Sequence, residues 1–157
     1  MSANKPARIL IAEDHPQGAE LLEAYVSDAG YEVRMATDGE SALHIIRQWR
    51  PDVVLLDVMM PKISGFEVCK RLRNDPDTRH IAVLMVTALD QPSDVERAVD
   101  VGTHDFLTKP IHKTDLERRL RAILAHRHGD ELIDTLSYME AVQQAGASSH
   151  TPCPKSF

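Results

Sequence analysis

Cysteine is scarce in this chain. Cys69 and Cys153 are its two cysteines, one within a helical pattern and the other in a Pro/Ser tail, so neither a disulfide framework nor a zinc-binding spacing is present and a reducing compartment fits best. Long apolar runs are missing as well. None approaches the roughly 18 residues that a membrane span needs, and the opening MSANKPAR lacks the apolar stretch of a signal peptide, so a cytoplasmic, non-membrane protein is expected. There is no basic excess. Lys and Arg number 18 against 24 Asp and Glu, a formal net charge of −6, which argues against direct binding to a nucleic-acid backbone. No repeat of solenoid period is visible. What remains is a 157-residue chain, 43% hydrophobic and 27% charged, with room for one globular domain and a short appendage.

Within that domain, short β-branched or apolar runs alternate with longer amphipathic stretches. Ile9 to Ile11 reads as a strand, followed by a helix carrying Leu21, Leu22, Tyr25 and Val26. Tyr31 to Met35 leads through Thr37, Asp38 and Gly39, residues suited to a helix start, into Ala42, Leu43, Ile45, Ile46 and Trp49 at helical spacing. Val53 to Leu56 is continuously apolar, as a strand covered on both faces should be, and its helix carries Phe66, Val68 and Leu72. Ile81 to Val86 is a fourth buried run, with a helix after Gln91-Pro92-Ser93 that closes at Gly102. Phe106 and Leu107 make a short fifth strand before a helix opening near Thr114-Asp115. Five such units imply an α/β fold, an open, doubly wound, five-stranded parallel sheet with helices on both faces. They occupy residues 7–127. A further helical pattern at 130–145 is an extension or linker, and the Ser/Pro-rich stretch 146–157 is expected to be disordered.

In an open parallel sheet the reactive crevice lies beyond the carboxyl ends of the strands. The residues there are chemically active types: Glu13-Asp14 after the first strand, Asp57 after the third, Thr87 after the fourth, and Thr108-Lys109 after the fifth. Any one alone reads as a helix cap, a turn former or a solvated side chain. Together they mean more. Three converging carboxylates repel one another unless a divalent cation shares them, and few carboxylates plus water suit Mg²⁺. With the ion present, Asp57 is placed to attack a phosphoryl group, Lys109 to hold one of its oxygens, and the Thr87 hydroxyl to donate to another.

These motifs, with Asp57-Val-Met-Met60-Pro61 and Gly65, Thr87-Ala88, and Phe106-Leu-Thr-Lys109-Pro110, resemble the receiver domain of two-component response regulators over about Ala7 to His126. The resemblance implies a flavodoxin-like strand order 2-1-3-4-5 and Mg²⁺ held by Asp14, Asp57 and the Met59 backbone carbonyl, with Glu13 acting through a bound water. It implies that Asp57 accepts phosphate from a sensor histidine kinase or histidine phosphotransfer protein. It also implies a switch in which Thr87 and Phe106 move and the face of the fourth helix, fifth strand and fifth helix changes, and a cis Lys109-Pro110 bond that helps aim Lys109. Phe106 stands where Tyr is commoner, and Thr103 where Ala often follows the glycine. On this reading the chain is a phosphoacceptor switch and not a turnover enzyme.

Arg118, Arg119 and Arg121 form a basic stripe that is either a solvated face or pairs across a dimer with Asp94, Asp100 or Asp105. In similar transcription-factor receivers, Asp105 and Arg119 match positions used in dimer salt bridges, which implies a homodimer formed on phosphorylation. The histidines, His15, His104, His112, His126 and His128 among them, match no ligand framework. Two other classes share parts of the pattern. A haloacid dehalogenase-type phosphatase also uses an Asp after a strand but wants a second Asp two residues on, where Met59 stands. A flavodoxin-like electron carrier needs a phosphate-binding loop where Glu13-Asp14-His15-Pro16 would repel the flavin phosphate.

Overall fold

The computed structural model describes residues 5–88 and 91–127. The extension expected at 130–145 and the tail at 146–157 lie outside the described residues. Among the described residues five strands and five helices alternate: β1 (Arg8–Ala12), α1 (Pro16–Asp28), β2 (Glu32–Ala36), α2 (Gly39–Trp49), β3 (Val53–Leu56), α3 (Gly65–Asn74), β4 (Ala82–Thr87), α4 (Pro92–Val101), β5 (Asp105–Thr108) and α5 (Lys113–Arg127). The strands form one parallel sheet in the order β2-β1-β3-β4-β5. Element boundaries differ from the sequence reading by a residue or two. β4 extends through Thr87, and α5 starts one residue before Thr114.

The helices take the faces that right-handed crossovers demand. From β1 the chain steps outward to β2, then reverses and runs from β3 to β5, so the helices of the two directions fall on opposite faces. On one face Ile9, Ile11, Val53, Leu55, Leu84 and Val86 pack with Leu22 and Val26 of α1 and Leu116 and Leu120 of α5. On the other, Leu10, Val54, Leu56, Val83 and Met85 pack with α2, α3 and α4 through residues such as Ile46, Leu72 and Ala98. The period-two alternation of side chains along a strand makes both layers from the same continuous apolar runs. The edge strand β2 is different: Glu32 and Arg34 are exposed, charges that discourage pairing with another sheet. Leu21, part of the apolar pattern of α1, is 46% exposed, because Ala19, Leu22 and Val26 already complete the buried stripe.

Local signals start and stop these helices where the sequence places them. The Asp38 carboxylate accepts from the Ser41 N–H at 2.8 Å and caps α2. The Ser64 hydroxyl accepts from the Glu67 N–H at 3.2 Å and caps α3. Gln91 and Asp94 form a reciprocal capping box on α4, with Pro92 in its first turn. Gly102, at φ 90°, ends α4 in the left-handed region that a glycine enters without strain.

At the amino ends of the strands lies Trp49, almost buried, with the guanidinium groups of Arg8 and Arg34 at 5.5 and 4.9 Å from its ring centroid. The carboxyl ends, on the opposite side of the sheet, are polar. Strand order reverses between β1 and β3, and the two loops that leave these strands diverge there to open the crevice.

Candidate functional site

Glu13 and Asp14 follow β1 directly, and Asp57 follows β3. Backbone bonds continue the sheet past the last strand residues: the Glu13 N–H donates to the Ala36 carbonyl at 3.0 Å and the Asp57 N–H to the Ala12 carbonyl at 3.0 Å. Both carboxylates are therefore held by the rigid sheet and not by a free loop. Glu13 and Asp57 are buried and Asp14 is half-buried.

The loop after Asp57 turns tightly under it. The Gly65 N–H donates to the Val58 carbonyl at 2.9 Å, and a Cβ on Gly65 would lie 2.3 Å from the Asp57 carbonyl oxygen. Only glycine permits so close an approach. Lys62 in this loop takes φ 71°, and a Cβ on Gly39 would meet the Ile63 carbonyl at 2.2 Å, so the same loop is also locked against the start of α2. The Met59 N–H donates to Asp57 Oδ1 at 3.2 Å, while the Met59 residue is 60% exposed at the mouth of the site.

Lys109 enters from β5. Its N–H donates to the Thr87 carbonyl at 2.8 Å, joining the ends of β4 and β5, and the Lys109–Pro110 bond is cis. Its ammonium Nζ lies 2.7 Å from Glu13 Oε1 and 3.2 Å from Asp57 Oδ2. Burial works against the Lys109 charge, but the hydrogen bond it donates to Glu13 and the charges of Asp57 and Glu13 outweigh it and hold the ammonium above its ordinary pKa. Burial pushes the Glu13 carboxyl up, and Lys109 offsets part of that rise. Thr87 is fully buried at the end of β4, Ala88 is exposed beside it, and Phe106 is buried in the core layer that also holds Phe66 and Ala98.

The residues expected at the crevice are thus brought together: carboxylate oxygens of Glu13, Asp14 and Asp57 lie within 4.8 Å of one another and Lys109 bonds to Glu13 and Asp57, with Thr87 at the adjoining strand end. Their oxygen donors suit a hard divalent cation. Asp14 supplies a specific indication, because its Oδ1 is buried without a hydrogen-bond partner, and a bound cation would answer that oxygen. One neighbour, among the histidines that match no ligand spacing in the sequence, joins the cluster in the structure. His15 Nδ1 lies 3.4 Å from Asp14 Oδ1 and 3.5 Å from Glu13 Oε2, and the donors of Glu13, Asp14, His15 and Asp57 all lie within 4.8 Å of one another. The only signal in the sequence was its position immediately after the acidic pair.

The basic stripe of α5 is largely used within the chain. Arg119 Nη1 donates to both oxygens of Asp105, at 2.8 and 2.9 Å, and Arg119 Nε to Asp115 at 3.3 Å. Arg118 pairs with Asp115 at 2.9 Å, and Asp94 serves the cap of α4. Asp105 and Arg119, expected as partners across a dimer, are therefore partners of each other in one chain, in a half-buried pair in which one guanidinium nitrogen contacts both carboxylate oxygens. An intermolecular pairing of the two would require this one to open.

Comparison with known proteins agrees with this geometry. Residues 9–121 match the family described as response regulator receiver domain. The chain is 44% identical over 135 residues to response regulator PleD of Caulobacter vibrioides, covering 86% of this chain and 29% of that protein. It is 40% identical over 137 residues to the DNA-binding transcriptional regulator RpaA of Synechocystis, covering 87% of this chain and 56% of the relative. The chain thus spans roughly a third to a half of these relatives. Among solved structures, the receiver domain of sensor histidine kinase PA1611 from Pseudomonas aeruginosa, described with a magnesium ion in its active-site cleft, superposes with a TM-score of 0.72. It is 28% identical and covers 76% of this chain and 98% of its own. No helix among the described residues is long and apolar enough to cross a membrane.

Proposed function

The chain belongs to the response regulator receiver domain family, and from that premise we propose that it is a phosphoacceptor switch in which Asp57 takes a phosphoryl group from a phosphohistidine on a sensor kinase or phosphotransfer protein. The observation that carries this reading is the Asp57 carboxylate, buried at the end of the central strand with the Lys109 ammonium 3.2 Å from its Oδ2. In the transfer, a carboxylate oxygen of Asp57 forms the new bond to phosphorus as the bond from phosphorus to the imidazole nitrogen breaks, and the imidazole leaves with that electron pair. Mg²⁺ held by Asp14, Asp57 and the Met59 carbonyl, with Glu13 acting through a water, would offset the charge of the carboxylate and of the phosphoryl oxygens.

Lys109, already between two carboxylates, has only to exchange one of them for a phosphoryl oxygen. Thr87, at the end of β4, presents the hydroxyl that can follow the phosphate, and Phe106 lies on the neighbouring strand opposite Met85. Phosphate biases the switch only so far as it interacts better with one arrangement of these loops. The readout surface is then α4, β5 and α5, controlling a partner, a second copy of the chain or an output domain. Loss of the phosphoryl group by hydrolysis sets the duration of the signal, so the chemistry serves timing and not turnover.

The reading is tested by native mass spectrometry with Mg²⁺ and a small phosphodonor such as phosphoramidate. We expect one phosphoryl adduct on the wild-type chain and none on Asp57→Asn, whose near-isosteric amide should preserve the fold. An adduct that persists in Asp57→Asn moves the acceptor elsewhere. The same spectra report whether the adduct shifts monomer to dimer.

A further inference from the structure

His15 lies beside the acidic cluster but is not accounted for by any of the roles above. It is the residue before α1, in an extended conformation at φ −84° and ψ 119°, yet its side chain makes no capping hydrogen bond. The imidazole instead stands over the carboxylates, with Nδ1 at 3.4 Å from Asp14 Oδ1 and 3.5 Å from Glu13 Oε2. Both separations are longer than the roughly 2.7–3.2 Å of a good N–H···O bond. They are close to the ligand-to-ligand edge of a tetrahedral zinc-type site, where bonds of about 2.0–2.2 Å put neighbouring donors about 3.3–3.5 Å apart. Asp14 Oδ1, one of the two oxygens on those edges, is the buried atom that lacks a hydrogen-bond partner.

We propose that His15 is a ligand in this site and that its imidazole shifts the preference of the site from Mg²⁺ toward an imidazole-accepting divalent ion such as Zn²⁺. This rests on the metal-binding receiver reading above and specifies the ion. Mg²⁺ takes oxygen donors and keeps much of its water, so a nearby imidazole adds little to its binding. A first-row transition ion gains a bond from the same nitrogen. The imidazole is 74% exposed, which leaves it free to close on an ion that has entered the mouth of the site. A simple ion pair between His15 and the carboxylates is the competing account, and it predicts no change in the choice between the two metals when His15 is replaced.

The test uses the full chain stripped of metal. Mg²⁺ binding is measured by calorimetry and Zn²⁺ binding by competition with a chromophoric chelator, counting only the Zn²⁺ uptake that Asp14→Asn loses, so that other histidines and the cysteines do not contribute. Circular dichroism checks that His15→Ala and Asp14→Asn remain folded. We expect the ratio of Zn²⁺ to Mg²⁺ affinity to fall in His15→Ala by at least the roughly tenfold that loss of even an outer-shell partner costs a metal site. Asp14→Asn should weaken both ions. An unchanged ratio in His15→Ala, or Zn²⁺ uptake that Asp14→Asn leaves unchanged, overturns the inference while leaving the receiver reading intact. A wild-type chain that takes up neither ion overturns the receiver reading itself, and this inference with it.

Discussion

Lys109 answers two buried carboxylates at once, and the consequences of losing it follow from the sign of the Glu13 shift. Burial already raises the Glu13 carboxyl above its ordinary 4.5, and the bond and charge from Lys109 restrain the rise. Lys109→Ala removes that restraint, so the folded state favours protonated Glu13 still more. A raised folded pKa contributes stability below the unfolded value and loses it as pH rises through the folded one. Lys109→Ala should therefore show a larger stability deficit against wild type at pH 8 than at pH 5, measured by urea unfolding in chelator at both pH values. An equal deficit would mean that Glu13 is not restrained by the ammonium. Residue identity at this scale was legible: the acidic pair, Asp57, Thr87 and Lys109 each stand directly after an apolar run. His15 was not, since a lone histidine has no spacing to mark it.

The elements carry the geometry that keeps those side chains together. The β3–α3 turn depends on Gly65 because α3 begins against the Asp57 carbonyl, where a methyl group would lie 2.3 Å from the oxygen. Gly65→Ala should lower stability by about 1–3 kcal/mol, as overpacking typically does, and should shift the amide resonances of residues 57–59 in the folded protein. Unperturbed resonances there would show that the turn relaxes elsewhere. A second joint lies at the far end of α3. The Arg73 guanidinium donates to the carbonyls of Gly102, Arg79 and Ile81 at 2.7–2.8 Å, and approaches His104 Nδ1 at 3.1 Å. It binds α3 to the loops before β4 and β5, and burial holds its pKa below the ordinary arginine value. Lysine keeps the charge but cannot reach several acceptors from one planar group. Arg73→Lys should cost at least about 2 kcal/mol through carbonyls left unpaired, measured by urea denaturation, whereas a loss under 0.5 kcal/mol would make the fork dispensable. Helix ends such as Asp38 and Gly102 could be read from the chain because caps are local. The Arg73 joint could not, because its acceptors lie 6 to 29 residues away along the chain.

Across the whole molecule the sheet separates its two ends by function. Trp49, the single tryptophan, packs under Arg8 and Arg34 at the amino ends of the strands, while the carboxylates gather at the carboxyl ends. Its fluorescence should follow global unfolding and stay unchanged through a Mg²⁺ titration that calorimetry shows to saturate the site. Quenching on metal binding would reveal coupling across the sheet. The alternation of apolar runs and amphipathic stretches was enough by itself to specify a five-unit parallel α/β fold and to put Glu13, Asp14, Asp57, Thr87 and Lys109 at the carboxyl ends of its strands. Side-chain periodicity and the one-handed crossover are local rules that a sequence displays directly. Only the tertiary structure decided which contacts those residues make: Lys109 shared between Glu13 and Asp57, His15 drawn over Asp14, and Arg119 closed onto Asp105 within its own chain. Each of these depends on the relative position of separate loops and helices, which is set by how the two core layers pack and not by any spacing along the chain.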